Sequence, residues 1–164
     1  MSPARIRCLV LACGNTLRGD DGVGPFLAEW AENHLRNQPG VRVLSRQQWT
    51  PELAEDIAHA DSVLFIDSSA ESAPGDIQLV AVEPEESKAG VASHHLSAAH
   101  LLSLCRELYP SMPSSAFLLT VGMGSTELGS TFSTAVQAAL PEGQALLEKT
   151  ILRLLQQGDG NQRL

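Results

Sequence analysis

An α/β domain built on a mostly parallel sheet, with helices on both faces, is the fold this sequence predicts. Three observations carry that expectation. Ile6 to Ala12 and Val63 to Asp67 are apolar runs of the kind found in strands buried on both faces of a sheet. Between them Phe26, Leu27, Trp30, Ala31 and Leu35 recur at helical spacing. Strand and helix patterns then alternate to the end of the chain, as parallel strands joined by crossover helices require. The 164 residues suit a single domain, and 43% apolar residues supply a core without disulfides or a structural metal.

The elements follow in order. The first strand runs into Gly14, and the first helix has Pro25 near its start and Pro39-Gly40 at its stop. A strand is expected over Val41 to Ser45, a helix from about Pro51 to Ala58, and a buried strand over Val63 to Asp67. The Pro74-Gly75 turn introduces another strand over Ile77 to Val82. A helix over about His95 to Leu108, a strand over Ala116 to Val121 and a helix over Pro141 to Gln156 complete the pattern. The domain is expected to span 1–158, leaving 159–164 as a disordered tail.

Charge and composition exclude several classes. A formal charge of −8 repels a polyphosphate backbone, and 4% aromatics make a poor base-stacking platform, so no nucleic-acid partner is expected. Cys8, Cys13 and Cys105 form no CxxC pair and read as reduced thiols of a cytoplasmic protein. The apolar run Cys8 to Cys13 is far too short to span a membrane and lacks the pattern of a signal peptide.

Chemistry concentrates after the first strand. Four glycines fall within the eleven residues Gly14 to Gly24, a loop that belongs at the carboxyl edge of the sheet, where open α/β folds bind ligands. The glycines do not fit a dinucleotide fingerprint, no GK[ST] follows, and Asp20 and Asp21 would face any phosphate. The adjacent carboxylates favour a cation instead, with capping of the next helix as the ordinary alternative. Asp67, at the end of a buried apolar strand, reaches the same edge, its ordinary alternative being an Asx turn with Ser68 and Ser69. Among five histidines, His34, His59 and His100 read as solvated helix residues. Helical phase with Leu101 and Leu108 turns His94 toward the sheet and His95 to the flank. Asp21, Asp67 and His94 would supply two oxygens and a nitrogen to a borderline ion such as nickel or zinc, leaving positions open. No GxSxG occurs and Cys13 has no evident histidine partner, so a covalent mechanism is not expected.

The run Gly14-Asn15-Thr16-Leu17-Arg18-Gly19-Asp20-Asp21-Gly22-Val23-Gly24, the strand ending in Asp67 followed by Pro74-Gly75, and a histidine opening the next helix resemble the [NiFe]-hydrogenase maturation endopeptidases. The resemblance runs in order from about Ile6 to Leu155. It implies a three-layer α/β/α sandwich with a twisted, mostly parallel sheet of about five strands. It implies a cytoplasmic aspartyl-type endopeptidase that removes a C-terminal peptide from the hydrogenase large-subunit precursor after nickel insertion. Asp21, Asp67 and His94 would then recognise nickel presented by the precursor, with weak binding of other divalent ions. Catalysis would fall to Asp21 and Asp67, with Asp20 a further candidate, through a metal-activated or carboxylate-activated water. Where many relatives carry Asp-Gly-Gly-Thr, this chain has Arg46-Gln47-Gln48-Trp49-Thr50-Pro51-Glu52-Leu53, read here as a surface turn before a capped helix. Competing readings are a nucleotide-binding domain, a peptidyl-tRNA-hydrolase-like protein, for which the acidic charge is unfavourable, and a non-catalytic nickel-binding maturation factor.

Overall fold

A computed structural model describes residues 4–85, 96–129 and 131–161, with side chains through 158. Strand β1 (Ile6–Cys13) leads through a 3-10 turn (Gly19–Gly22) into helix α1 (Val23–His34), then strand β2 (Val41–Arg46) and helix α2 (Leu53–Ala58). Strands β3 (Ala60–Ser69) and β4 (Ile77–Ala81), helix α3 (Ala98–Leu108), strand β5 (Ser115–Gly122) and helix α4 (Thr134–Asn161) follow.

The strands form one sheet in the order β2-β1-β3-β5-β4. β1 pairs in parallel with β2 and β3, and β3 with β5, whereas β4 runs antiparallel to β5. The reversal has a simple cause. The connection from Ser69 to Ile77 is too short to carry the chain back to the other edge of the sheet, which a parallel crossover needs.

Alternating side chains divide the core into two layers. Val10 and Ala12 of β1 and Leu64 and Ile66 of β3 pack with Leu27 and Ala31 of α1 and Leu147 and Ile151 of α4. Leu9, Leu11, Val63 and Phe65 face the other way, onto Leu53 and Ile57 of α2 and Leu101 and Leu102 of α3. Because β1 and β3 are central, Cys8 to Ala12 and Val63 to Ile66 have no exposed surface, as their apolar runs predict. The result is the expected three-layer α/β/α sandwich.

Three boundaries differ from the sequence reading. α4 begins at Thr134, seven residues before Pro141, because Ala135, Ala138 and Ala139 are strong helix formers and Val136 is fully buried. Ser133 starts it, accepting the Gln137 N–H on its carbonyl at 2.9 Å. The same helix continues through Asn161, so helical backbone occupies 159–161 where a disordered tail is expected; residues 162–164 lie outside the described ones. α3 starts at Ala98, not His95, because the Ser97 hydroxyl accepts the His100 N–H and fixes the N-cap there. No helix among the described residues is long and apolar enough to cross a membrane.

Phe65 anchors the second layer, its ring centroid 5.2 Å from that of Trp49 in an edge contact. Replacing it with alanine is expected to cost about 3–5 kcal/mol, read as a lower denaturation midpoint with an unchanged slope.

Candidate active site

Connections leave the carboxyl ends of β1 and β3 in opposite directions, β1 toward β2 and β3 toward the far edge, which opens a crevice between them. A cleft of about 680 Å³ lies there. Its walls include Cys13, Gly14, Asn15, Arg18 and Asp21 from the end of β1, Gln47, Gln48 and Trp49 from the end of β2, and Asp67, Ser68 and Glu71 from the end of β3.

The two neighbouring aspartates part company. Asp20 has no exposed surface and does not line the cleft. Its Oδ2 accepts the N–H groups of Gly124 at 2.7 Å and Ser125 at 2.9 Å and the Ser133 hydroxyl at 2.7 Å, and its Oδ1 accepts the Ser133 N–H at 2.7 Å. Burial pushes this carboxyl up, but the four donors more than offset it and hold it below the usual carboxylate range. Asp20 therefore fastens the glycine-rich loop to the segment between β5 and α4, and a catalytic role for it, expected as a further candidate, has no access to the cleft.

Asp21 does line the cleft. Its Oδ2 accepts the Asn15 N–H and its Oδ1 the Ser68 hydroxyl, both at 2.9 Å. Gly14 makes this possible. At φ +152° it bends the chain back on itself, and a Cβ there would sit 2.0 Å from the Asp21 carbonyl oxygen. Neither aspartate caps α1, whose N-cap is Gly22 without a side-chain hydrogen bond.

Asp67 stands opposite, its Oδ1 accepting the N–H of Ser68 at 2.8 Å. The bond is to the next residue's amide, not the Asx turn considered as its alternative. Ser68 thus donates its amide to one carboxylate and its hydroxyl to the other, so one residue draws the pair together. Burial, with the Asp21 charge adding to it and the Ser68 amide opposing, pushes the Asp67 carboxyl up to about 7. Burial and the same two aspartates drive the Cys13 thiol up to about 12, which removes its thiolate at neutral pH.

The third predicted ligand, His94, lies outside the described residues, as does His95. The helical-phase argument that separates them fails, since α3 begins only at Ala98 and Leu108 is 62% exposed. Among the described residues no group of three His, Cys, Asp or Glu is placed to hold a metal. Trp49 is a further correction. Gln47 and Gln48 are exposed as a surface turn should be, but Trp49 is buried in the second core layer, and α2 has no side-chain cap. Its Nε1 is buried with no partner among the described residues. Sequence reasoning also missed Arg18 and Glu71, which a charge pattern on loops does not single out.

The buried Asp20 and the half-buried Asp67 predict opposite pH dependences. For Asp20, held below its unfolded value, stability is present at neutral pH and lost as pH falls through the carboxylate range. Asp20→Ala should cost about 3–5 kcal/mol at pH 7, with the gap to the wild type narrowing toward pH 3. For Asp67, raised from 3.8 to about 7, the folded state holds a proton that the unfolded chain releases, so stability falls as pH rises through 7. Asp67→Asn should leave stability unchanged near pH 4 and raise it at pH 8 by on the order of 2 kcal/mol, read as a higher melting temperature there. A melting temperature at pH 8 equal to or below that of the wild type would contradict the strained ionised pair.

No protein-family model matches the chain, and no curated protein matches it. Solved structures do. The hydrogenase maturating endopeptidase HybD from E. coli superposes with a TM-score of 0.71 at 23% identity, over 90% of this chain and 93% of that one. The [NiFe] hydrogenase maturation protease HycI from Thermococcus kodakarensis gives a TM-score of 0.65 at 25% identity, over 92% and 93%. The solution structure of an endopeptidase from Escherichia coli gives 0.67 at 23% identity, over 93% of each. Over nine-tenths of its length, this chain has the fold of the hydrogenase maturation endopeptidases, the family that its glycine- and aspartate-rich loop resembles.

Proposed function

We propose that this chain is an endopeptidase that removes a C-terminal peptide from a [NiFe]-hydrogenase large-subunit precursor once nickel has been inserted, with the nickel carried by the substrate. The observation that supports this best is the tethering of Asp21 and Asp67 to a single residue, Ser68, inside one cleft. Two carboxylates held that close repel one another, and a dication relieves the repulsion. The similar solved structures, among them a [NiFe] hydrogenase maturation protease, support the reaction class.

In this reading nickel reaches the cleft already coordinated by the precursor. Asp21 and Asp67 complete its coordination together with His94, which precedes cleft-lining Leu96 by two residues in the chain. Hard oxygen ligands and one imidazole leave the ion accessible from the substrate side. Water then attacks the scissile carbonyl and gives a proton to Asp21 or Asp67, and that proton passes to the departing amine as the C–N bond breaks, leaving a new carboxyl terminus and the freed C-terminal peptide. Selectivity follows from the missing contact. Each tenfold preference for loaded precursor needs about 1.4 kcal/mol, which one metal–ligand bond can supply.

The test incubates matched nickel-free and nickel-loaded precursor with enzyme that has been treated with chelator and freed of it, and weighs the products by mass spectrometry. Only the loaded form should be shortened. Asp21→Asn, which keeps the shape and removes the charge, and His94→Ala should each lower kcat/KM at least 100-fold, about 2.7 kcal/mol. Equal cleavage of both precursors would sink nickel recognition and leave a general peptidase. A nickel-binding maturation factor would bind the loaded precursor and cut neither.

A further inference from the structure

We infer that Leu17, Arg18 and Leu128 form a lip beside the cleft that docks the folded body of the precursor, at a surface where a carboxylate is flanked by apolar side chains. This rests on the function proposed above and adds the partner surface to it. The starting observation is that Leu17 is 64% and Leu128 81% exposed, although each sits in a well-fastened loop. The two loops are paired: Gly129 donates its N–H to the Leu17 carbonyl, and Gly19 donates its N–H to the Gly129 carbonyl, both at 2.8 Å. Asp20 donates its amide to the Ser125 carbonyl at 2.8 Å as well, and Leu17 donates its own to the Asn15 side chain at 2.9 Å.

Gly19 permits this approach. It adopts φ +52°, and a Cβ there would lie 2.8 Å from the Ser125 carbonyl oxygen. The loops that carry the lip are thus fastened to one another, with the buried Asp20 carboxylate tying them to the β5–α4 segment, while both leucines stand exposed. Such a surface loses little conformational freedom on binding.

Arg18 joins the lip to the cleft. It lies between Leu17 and Gly19, its side chain is exposed, and it lines the cleft that holds Asp21 and Asp67. Among the described residues its guanidinium has no hydrogen-bond or ion-pair partner, and no lysine or second arginine lines the cleft. In a chain of formal charge −8 this free cation is a local exception, and an arginine set among apolar anchors is the composition that carries binding energy in protein interfaces. Arg18 belongs to both the lip and the cleft wall, so a substrate whose tail occupies the cleft brings the body from which the tail emerges next to the lip. A second copy of this chain is a poorer occupant, since a two-fold contact centred on the lip would set Arg18 near its own counterpart.

The test measures KM and kcat on nickel-loaded precursor for the double variant Leu17→Asp/Leu128→Asp, for Arg18→Glu and for Arg18→Lys. Leu108→Asp serves as the control, at the end of α3 away from the cleft. These positions are exposed, so folding should be retained, and a melting curve checks it. The double variant and Arg18→Glu should each raise KM at least tenfold, with Arg18→Lys recovering part of the loss and Leu108→Asp leaving KM within twofold. If the wild type cuts the precursor and KM is unmoved by the lip variants, the docking inference falls while the proposed function stands. A wild type that neither binds nor cuts the precursor overturns both. Sedimentation of the wild type as a dimer that Leu17→Asp/Leu128→Asp dissolves would assign the lip to self-association and overturn the precursor as its occupant.

Discussion

Asp20 has no exposed surface, yet its carboxylate is met by three main-chain amides and a hydroxyl from the segment that joins β5 to α4. A buried charge without such partners would cost several kcal/mol, so this contact fixes where the glycine-rich loop can lie. It also decides what Asp21 does. In a 3-10 turn successive side chains point about 120° apart, so a residue directed into the β5–α4 segment turns its neighbour elsewhere. Asp21 is turned into the cleft, where Asn15 and Ser68 hold it against Asp67. The cleft thus depends on a carboxylate that does not line it.

The electrostatic result is a cleft that favours positive charge and discourages a thiolate. The field that raises Asp67 to about 7 also raises Cys13 to about 12, so the arrangement suited to a cation is the one that silences the nearest nucleophile. Burial is the larger cause at both residues. The apolar layers on either side of β1 and β3 therefore tune the chemistry at the strand ends as well as holding the sheet together.

The central strands are legible in the sequence because burial on both faces leaves an unbroken apolar signature in Val63 to Ile66 and most of β1. Asp67 is legible for the same reason, as a charge at the end of such a run. Asp20 and Asp21 cannot be told apart from sequence, since the partners that separate their roles lie 104 to 113 residues downstream of Asp20. Trp49 misleads because two glutamines precede it, while the Phe65 ring that buries it comes from another strand. The start of α4 is hidden by Pro141, whose cost in a helix interior, about 3 kcal/mol, is offset by packing of the preceding turns around Val136.

The same edge of an open α/β sheet commonly cradles phosphate with loop amides, which is the basis of the nucleotide-binding alternative. Here those donors are already taken from within the chain. The amides of Gly124, Ser125 and Ser133 serve Asp20, and the amide of Asn15 serves Asp21. A phosphate arriving at this edge would find these four amides occupied and would face Asp21, Asp67 and Glu71 across the cleft. The chain's own carboxylates occupy these four amides, and the cleft presents Asp21, Asp67 and Glu71 where a phosphate site would present donors. Two adjacent aspartates aimed in different directions thereby leave, at an edge suited to anions, a cleft whose facing carboxylates repel an anion and suit the cation proposed above.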